Sequence, residues 1–189
     1  IFDLLNEIQR DFGAAIVLIT HDMGAISEMA DRVAVMYAGR VIEQARADDV
    51  LDNPQHPYTR GLIGCIPALG KDETELREIP GVVPPLHMLG AGCAFADRTL
   101  PSRAPGPDQP RGPSRRLSCR RGGPDMSVLL DVQDLTVRFS LPRKGLFGPR
   151  PVLEAVRQVS FKLEEGRALG IVGESGSGKT TTAMAAIRL

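Results

Sequence analysis

Gly173-Glu174-Ser175-Gly176-Ser177-Gly178-Lys179-Thr180 fits the pattern G-x-x-x-x-G-K-[ST] and is the most chemically specific stretch of the chain. Glycines at this spacing let consecutive backbone N–H groups turn toward one point, and a helix opening at Gly178 adds the positive end of its dipole. Such a nest accepts the phosphates of a nucleotide. Gly173, Ser175, Gly176, Ser177 and Gly178 would line it, Lys179 would reach the β- and γ-phosphates, and Thr181 would lie near the α-phosphate. The Thr180 hydroxyl would ligate Mg2+. The bland alternative is a glycine-rich strand-to-helix turn with an exposed lysine, and the buried strand before it and the helix formers after it weigh against that. The loop alone names a ligand class, not a reaction, because kinases, GTPases and transport ATPases share it.

A second candidate is His21, in Ile19-Thr20-His21-Asp22 at the end of an apolar run. A histidine at the C-terminal edge of a parallel strand sits where ligands bind in open α/β sheets, although a lone histidine there is more often structural.

These groups need a scaffold, and the apolar periods supply one. Ile1, Leu4, Leu5, Ile8 and Phe12 recur at helical spacing before Gly13, so residues 1–12 read as an amphipathic helix. Residues 14–19 form a continuous apolar run expected to be a parallel strand buried on both faces. A short helix over 23–31 turns Ile26, Met29 and Ala30 inward. Two strands follow, 33–37 and 40–44, joined by a turn at Ala38-Gly39. Short helices are expected at 48–52 and from Pro57 to about Cys65. A fresh pattern begins at Met126, with strands over 128–139, around 156–163 and over 168–172. The fold class is therefore α/β.

Composition divides the chain. The 23 basic and 23 acidic residues balance, which argues against a polybasic nucleic-acid arm. The balance is uneven in space: net −7 over 1–98, +4 over 99–125 and +3 over 126–189. The middle stretch holds 6 Pro, 4 Gly and 6 Arg, with Leu100, Ala104, Leu117 and Cys119 its only apolar residues. It cannot bury enough surface to offset its ordering entropy, so 99–125 is expected to be a disordered linker. Three cysteines at irregular spacing suggest a reducing compartment. Neither a signal peptide nor an apolar run of membrane-spanning length is visible.

With its flanks, the phosphate loop identifies a family. Val172 through Thr180, after Val159-Ser160-Phe161 and Gly166, resembles the first part of an ABC transporter ATPase in the oligopeptide/dipeptide importer branch. The resemblance implies ATP and Mg2+ as ligands. It places Phe139, in Leu135-Thr136-Val137-Arg138-Phe139, where that family stacks an aromatic ring on adenine; a core phenylalanine is the plain alternative. Residues 1–98 are similar to a later part of the same fold. There His21 corresponds to the switch histidine that contacts the γ-phosphate and positions the attacking water. Asp31-Arg32-Val33-Ala34-Val35-Met36-Tyr37-Ala38-Gly39-Arg40 and Asn53-Pro54-Gln55-His56-Pro57-Tyr58-Thr59-Arg60 match that branch. Some members bind an iron–sulfur cluster in a C-terminal extension. Here only Cys93 follows the cluster pattern, Thr99 stands where a second cysteine is expected, and a cluster is not anticipated. Cys65 reads as a small core residue, and His56 and His87 as structural or solvated.

The implied organisation is 1–66 as the C-terminal part of an ATPase core, 67–98 as the importer extension, 99–125 as linker, and 126–189 as the N-terminal part of a second ATPase. The order is inverted for one domain. The family's Asp-Glu pair, Ser-Gly-Gly signature and Gln loop are not found in the chain. A frame slip near Arg98 joining two adjacent coding regions is one expectation. A circularly permuted partial core, with strand 168–172 inserted between 14–19 and 33–36, is another. The implied partners are a second ATPase subunit, membrane-spanning permease subunits and, indirectly, a peptide-binding protein, at the cytoplasmic face of the cell membrane. A non-catalytic docking fragment is the competing reading.

Overall fold

The computed structural model describes residues 1–65, 79–86, 92–99, 127–143 and 150–188. Most of the expected linker, with Cys119, and much of the expected extension, with His87, lie outside these residues.

The elements in chain order are α1 (Phe2–Phe12), β1 (Ile16–Thr20), α2 (Met23–Met29), β2 (Arg32–Tyr37), β3 (Arg40–Arg46), α3 (Ala47–Asp52), α4 (Pro57–Gly64), α5 (Ala96–Thr99), β4 (Val128–Ser140), β5 (Val152–Glu164), β6 (Ala168–Val172) and α6 (Lys179–Ala186). Four strands form one sheet in the order β1-β6-β2-β3, and β4 and β5 form a separate antiparallel ribbon. Strands β1, β6 and β2 are parallel, while β3 returns antiparallel to β2. The expected insertion of strand 168–172 between 14–19 and 33–36 is thus the observed topology.

Side-chain alternation on β2 divides the core. Val33, Val35 and Tyr37 face a cluster with Met23, Ile26, Val50 and Tyr58, contributed by the helices. Ala34 and Met36 face the other way, onto Val132, Val156, Val159, Phe161 and Leu163 of the ribbon. The central strand β6 sends Val172 to the first cluster and Leu169 and Ile171 to the second. All five of its residues are buried, which explains its unbroken apolar run. Burying each large side chain there contributes about 1.5–3 kcal/mol.

Two expectations, on strand 14–19 and on Cys65, need correction. Strand β1 is half-buried along its whole length rather than buried on both faces, because β6 covers only one of its edges and it ends the sheet. Helix α1 forms and stops at Gly13, yet Ile1, Leu4, Ile8 and Phe12 remain exposed. Amphipathic spacing ensures a coherent face, not its burial. Cys65 caps the end of α4 and is only partly buried.

The start of β6 is stitched to the N-terminal elements. Asp31 accepts from Arg167 Nη1 at 2.6 Å and from the Ala168 N–H at 2.8 Å, and Gln9 donates to Gly166 O at 2.9 Å. The Asp31 bonds fix β6 against the start of β2, and the Ile16 N–H donating to Arg167 O at 3.0 Å fixes it against β1.

Helix α4 begins at a histidine cap. His56 Nδ1 accepts the Tyr58 N–H at 3.1 Å, while the buried Glu43 carboxylate accepts the N–H groups of Gln55 and His56 at 2.8 and 3.0 Å. Burial holds the imidazole below its ordinary value of 6.5, with the Glu43 charge opposing. The folded state therefore binds this proton less readily than the unfolded chain. Its contribution is intact above the unfolded value of 6.5 and is lost as pH falls below that, through the lower folded-state value. His56→Asn keeps an acceptor at the cap without a titrating group. Urea midpoints followed from about pH 7 to about pH 5 should fall less for His56→Asn than for the wild type.

Candidate functional site: a phosphate loop at the sheet edge

Parallel alignment of β1, β6 and β2 brings their C-terminal ends to one edge of the sheet, where open α/β folds bind ligands. The loop between β6 and α6 emerges from the central strand at that edge. Gly173 leaves β6 with φ 150°, Gly176 and Gly178 follow at 78° and 96°, and α6 starts at Lys179 with Gly178 as its N-cap. No side chain caps this helix. The first intrahelical bond is from the Thr182 N–H to Gly178 O at 2.8 Å, so the amides of residues 178–181 have no intrahelical acceptor. They sit at the positive end of the dipole, an arrangement that binds anions.

The Lys179 side chain arches over the loop. Its Nζ donates to Gly173 O and Glu174 O, each at 2.8 Å, and lies 3.4 Å from Ser177 Oγ. Burial pulls its pKa below the ordinary 10.5, against the raising influence of Glu174. A partly desolvated ammonium held by neutral carbonyls is ready to exchange them for charged phosphate oxygens. Ser175 and Gly176 are exposed at the rim, whereas Ser177 is 2% exposed and turned inward. Thr180 is exposed at the first turn of α6, and Thr181 is partly buried beside it. A hydroxyl oxygen at the mouth of an anion nest fits a hard cation that also bridges phosphates, so Thr180 suits Mg2+.

The loop is seated against the N-terminal half of the chain. Ser177 O accepts the Gly39 N–H at 3.0 Å, and Gly39 O accepts the Arg157 N–H at 2.7 Å. The turn at Ala38-Gly39 therefore lies between the loop and β5. Thr182, fully buried, donates to Gly178 O at 2.9 Å and contacts Met36 Sδ at 3.7 Å, fixing α6 on β2.

His21 is the residue after Thr20, and Thr20 pairs with Val172, the residue before Gly173. His21 and the loop thus leave neighbouring strands at the same edge. His21 is exposed, and the Asp22 carboxylate beside it caps α2 through the Gly24 N–H at 2.8 Å. Phe139 lies on β4, paired with Leu153, and its side chain is 49% exposed, so it is not a core residue. Leu153 precedes by two residues Ala155, whose carbonyl borders Gly178. Cys93 is exposed, and its Sγ lies 3.5 Å from His56 Nε2.

Three groups at the loop escaped sequence reasoning. The Glu174 N–H donates to Tyr58 Oη at 2.8 Å, and the Glu174 carboxylate pairs with Arg98 at 2.6 Å. Arg98 and Glu174 are 76 residues apart, and no local pattern signals such a pair.

Comparison with known proteins follows the two halves of this geometry. The family model for the oligopeptide/dipeptide transporter C-terminal region matches residues 42–101, and the ABC transporter model matches residues 156–189. The oligopeptide transport ATP-binding protein OppD of Mycobacterium tuberculosis is 36% identical over 214 residues, covering 96% of this chain and 34% of that protein. The chain belongs to the oligopeptide/dipeptide branch of the ABC transporter ATP-binding family. Within that family, the glutathione import ATP-binding protein GsiA of Shigella dysenteriae is 37% identical over 191 residues, covering the whole of this chain and 27% of that protein. The dipeptide transport ATP-binding protein DppD of Bacillus subtilis is 40% identical over 131 residues, covering 69% of this chain and 35% of that protein.

The chain therefore spans about a third of the length of these curated relatives, or less. The alignments to OppD and GsiA run through both halves of the chain, so the order of parts that suggested a frame slip occurs as one stretch within single members of the family. Among the described residues no helix is long and apolar enough to cross a membrane.

Proposed function

We propose that the chain is an internal stretch of the ATP-binding component of an ABC peptide importer, in which ATP binding and hydrolysis drive uptake. The observation that carries this reading is the loop at 173–180, seated between a buried parallel strand and a helix with free N-terminal amides, in a chain whose relatives are named for oligopeptide, glutathione and dipeptide transport. ATP phosphates would occupy the nest formed by Gly173, Ser175, Gly176, Ser177, Gly178, Lys179 and Thr181, with Thr180 on Mg2+. His21 would face the γ-phosphate from the neighbouring strand end. Phe139 would offer its exposed ring to adenine. When bound, Mg2+ supplies charge that neutralises the phosphates.

The chain's own residues bind and orient the nucleotide. The Asp-Glu pair, signature motif and Gln loop belong, on this reading, to the two-thirds of the relatives' length that the chain does not span. The continuous alignment to OppD and GsiA supports 1–66 and 67–98 as the end of one ATPase unit and 126–189 as the start of another in the same polypeptide, joined by 99–125. Strand order β1-β6-β2-β3 is then a circularly permuted partial core, in which the second unit's loop strand takes a central place beside strands of the first. Permease subunits, a second ATPase unit and a peptide-binding protein would be the partners, at the cytoplasmic face of the membrane.

Equilibrium binding of a fluorescent ATP analogue with Mg2+ tests the site. Saturable binding by the wild-type chain and its loss in Lys179→Ala are expected. Equal binding by both proteins would remove the case for a working phosphate site.

A further inference from the structure

We propose that Arg98 and Tyr58, acting through Glu174, are positioning residues of the phosphate loop, so that the segment around 79–86 and 92–99 holds the loop in its nucleotide-accepting shape. The inference rests on the reading of 173–180 as a nucleotide site, but its physical core is a set of contacts that needs no ligand.

Glu174 is the first variable position of the motif, and it is held at two points. Its backbone N–H is fixed by the hydroxyl of Tyr58, a fully buried side chain on α4, at 2.8 Å. Its carboxylate is fixed by Arg98 Nη1 at 2.6 Å, in a pair whose arginine side chain is only 5% exposed. Two further donors of that guanidinium are also used: Nε donates to Pro80 O at 2.7 Å and Nη2 to Ile79 O at 2.8 Å. Arg98 thus ties residues 79–80 and the loop to one rigid planar group, which a lysine could not do.

The platform beneath is aromatic. Tyr37, Tyr58 and Phe95 pack with ring centroids 4.6, 5.4 and 5.5 Å apart, joining β2, α4 and the turn before α5. Burial pushes the Tyr58 phenol up to about 12, so it stays a neutral hydroxyl throughout the physiological range. Arg157 Nη2 donates to Leu86 O at 2.8 Å, pinning the same segment to β5.

The consequence for the loop is direct. Glu174 O accepts both from Lys179 Nζ at 2.8 Å and from the Ser177 N–H at 3.2 Å. Fixing Glu174 therefore orients the carbonyl that organises the lysine and the loop's own turn. Released from Arg98 and Tyr58, the Glu174 peptide can rotate, and the nest loses its preorganised shape.

The test uses the whole chain and two readouts. Nucleotide affinity is measured with the fluorescent ATP analogue for wild type, Arg98→Met, Glu174→Gln, Tyr58→Phe and the Arg98→Met/Glu174→Gln double variant. Amide hydrogen exchange is followed at Glu174 and Ser177 without nucleotide. Arg98→Met and Glu174→Gln should each weaken affinity by about 3- to 10-fold, and the double variant should be no weaker than the worse single, because both break one link. Loop exchange should quicken by about fivefold or more in each, including Tyr58→Phe, which keeps the ring in the core.

Losses that multiply in the double variant would overturn the proposal, as would unchanged affinity and unchanged exchange in Glu174→Gln and Tyr58→Phe. If Arg98→Met does not fold, those last two variants decide it. A wild-type chain that binds no nucleotide, but whose loop exchange quickens in the variants, would refute the nucleotide reading and leave the positioning role standing. Lys179-dependent nucleotide binding with no response to Arg98, Glu174 or Tyr58 would do the reverse.

Discussion

Lys179→Ala should lower affinity for Mg2+-ATP by roughly 30- to 150-fold, corresponding to about 2–3 kcal/mol for a lost charge-assisted contact to phosphate. The expectation follows from where the ammonium sits before any ligand arrives. It is partly buried and donates to Gly173 O and Glu174 O at 2.8 Å, so little reorganisation separates the free from the liganded position. The fold should persist in the variant, because Lys179 belongs to neither hydrophobic cluster. Isothermal titration of wild type and variant measures the difference, and far-UV circular dichroism checks the fold.

The same geometry gives a pH dependence. Burial holds the Lys179 pKa below 10.5, and an anionic ligand favours the charged form. Affinity should therefore be maximal while the amine is protonated in the free chain. It should decline as pH rises through the depressed value, earlier than an exposed lysine would dictate. Lys179→Arg, which stays charged, should lose that alkaline decline.

Gly173→Ala should be the most damaging added methyl among the described glycines. At Gly173 the chain leaves β6 with φ 150°, and an added Cβ would lie 2.2 Å from the backbone oxygen of Met36 on the neighbouring strand. Backbone cannot swing aside as a side-chain terminus can, so β6 and β2 would have to part where both are fully buried. Strain and overpacking together should cost about 3 kcal/mol or more, lowering the melting temperature by roughly 6–12 °C. Differential scanning calorimetry gives the shift. An unchanged melting temperature would mean that the strand ends do not approach as described. Gly176→Ala is the control: its φ is 78°, but no atom lies within 4 Å of the added methyl. It should incur the conformational strain alone.

Much of the scaffold was legible locally. The apolar run over 168–172 announced a fully buried strand, and the 33–37 and 40–44 strands about Ala38-Gly39 appeared as read. Alternating patterns are local, and a strand's burial on both faces leaves its mark in every residue. Strand β1 carries an equally apolar run and is only half-buried. Its position at the sheet edge depends on which strand comes to lie beside it, and that strand is more than a hundred residues away.

The motif of the loop was legible because its residues are contiguous: the glycines, the lysine and the threonine must follow one another to form an anion nest. From sequence alone, residues 173–181 were assigned as an anion site, His21 as the end of a parallel strand, and the two pieces of chain as parts of one family. Tertiary structure decided the rest. It placed His21 and the loop on adjacent strand ends, exposed Phe139 near the ribbon edge that borders Gly178, and bound Glu174 to Arg98 and Tyr58. A motif whose atoms lie on consecutive residues can be read along the chain. A partly buried ion pair such as Arg98–Glu174 depends on desolvation and distance, which exist only once segments distant in sequence have packed together.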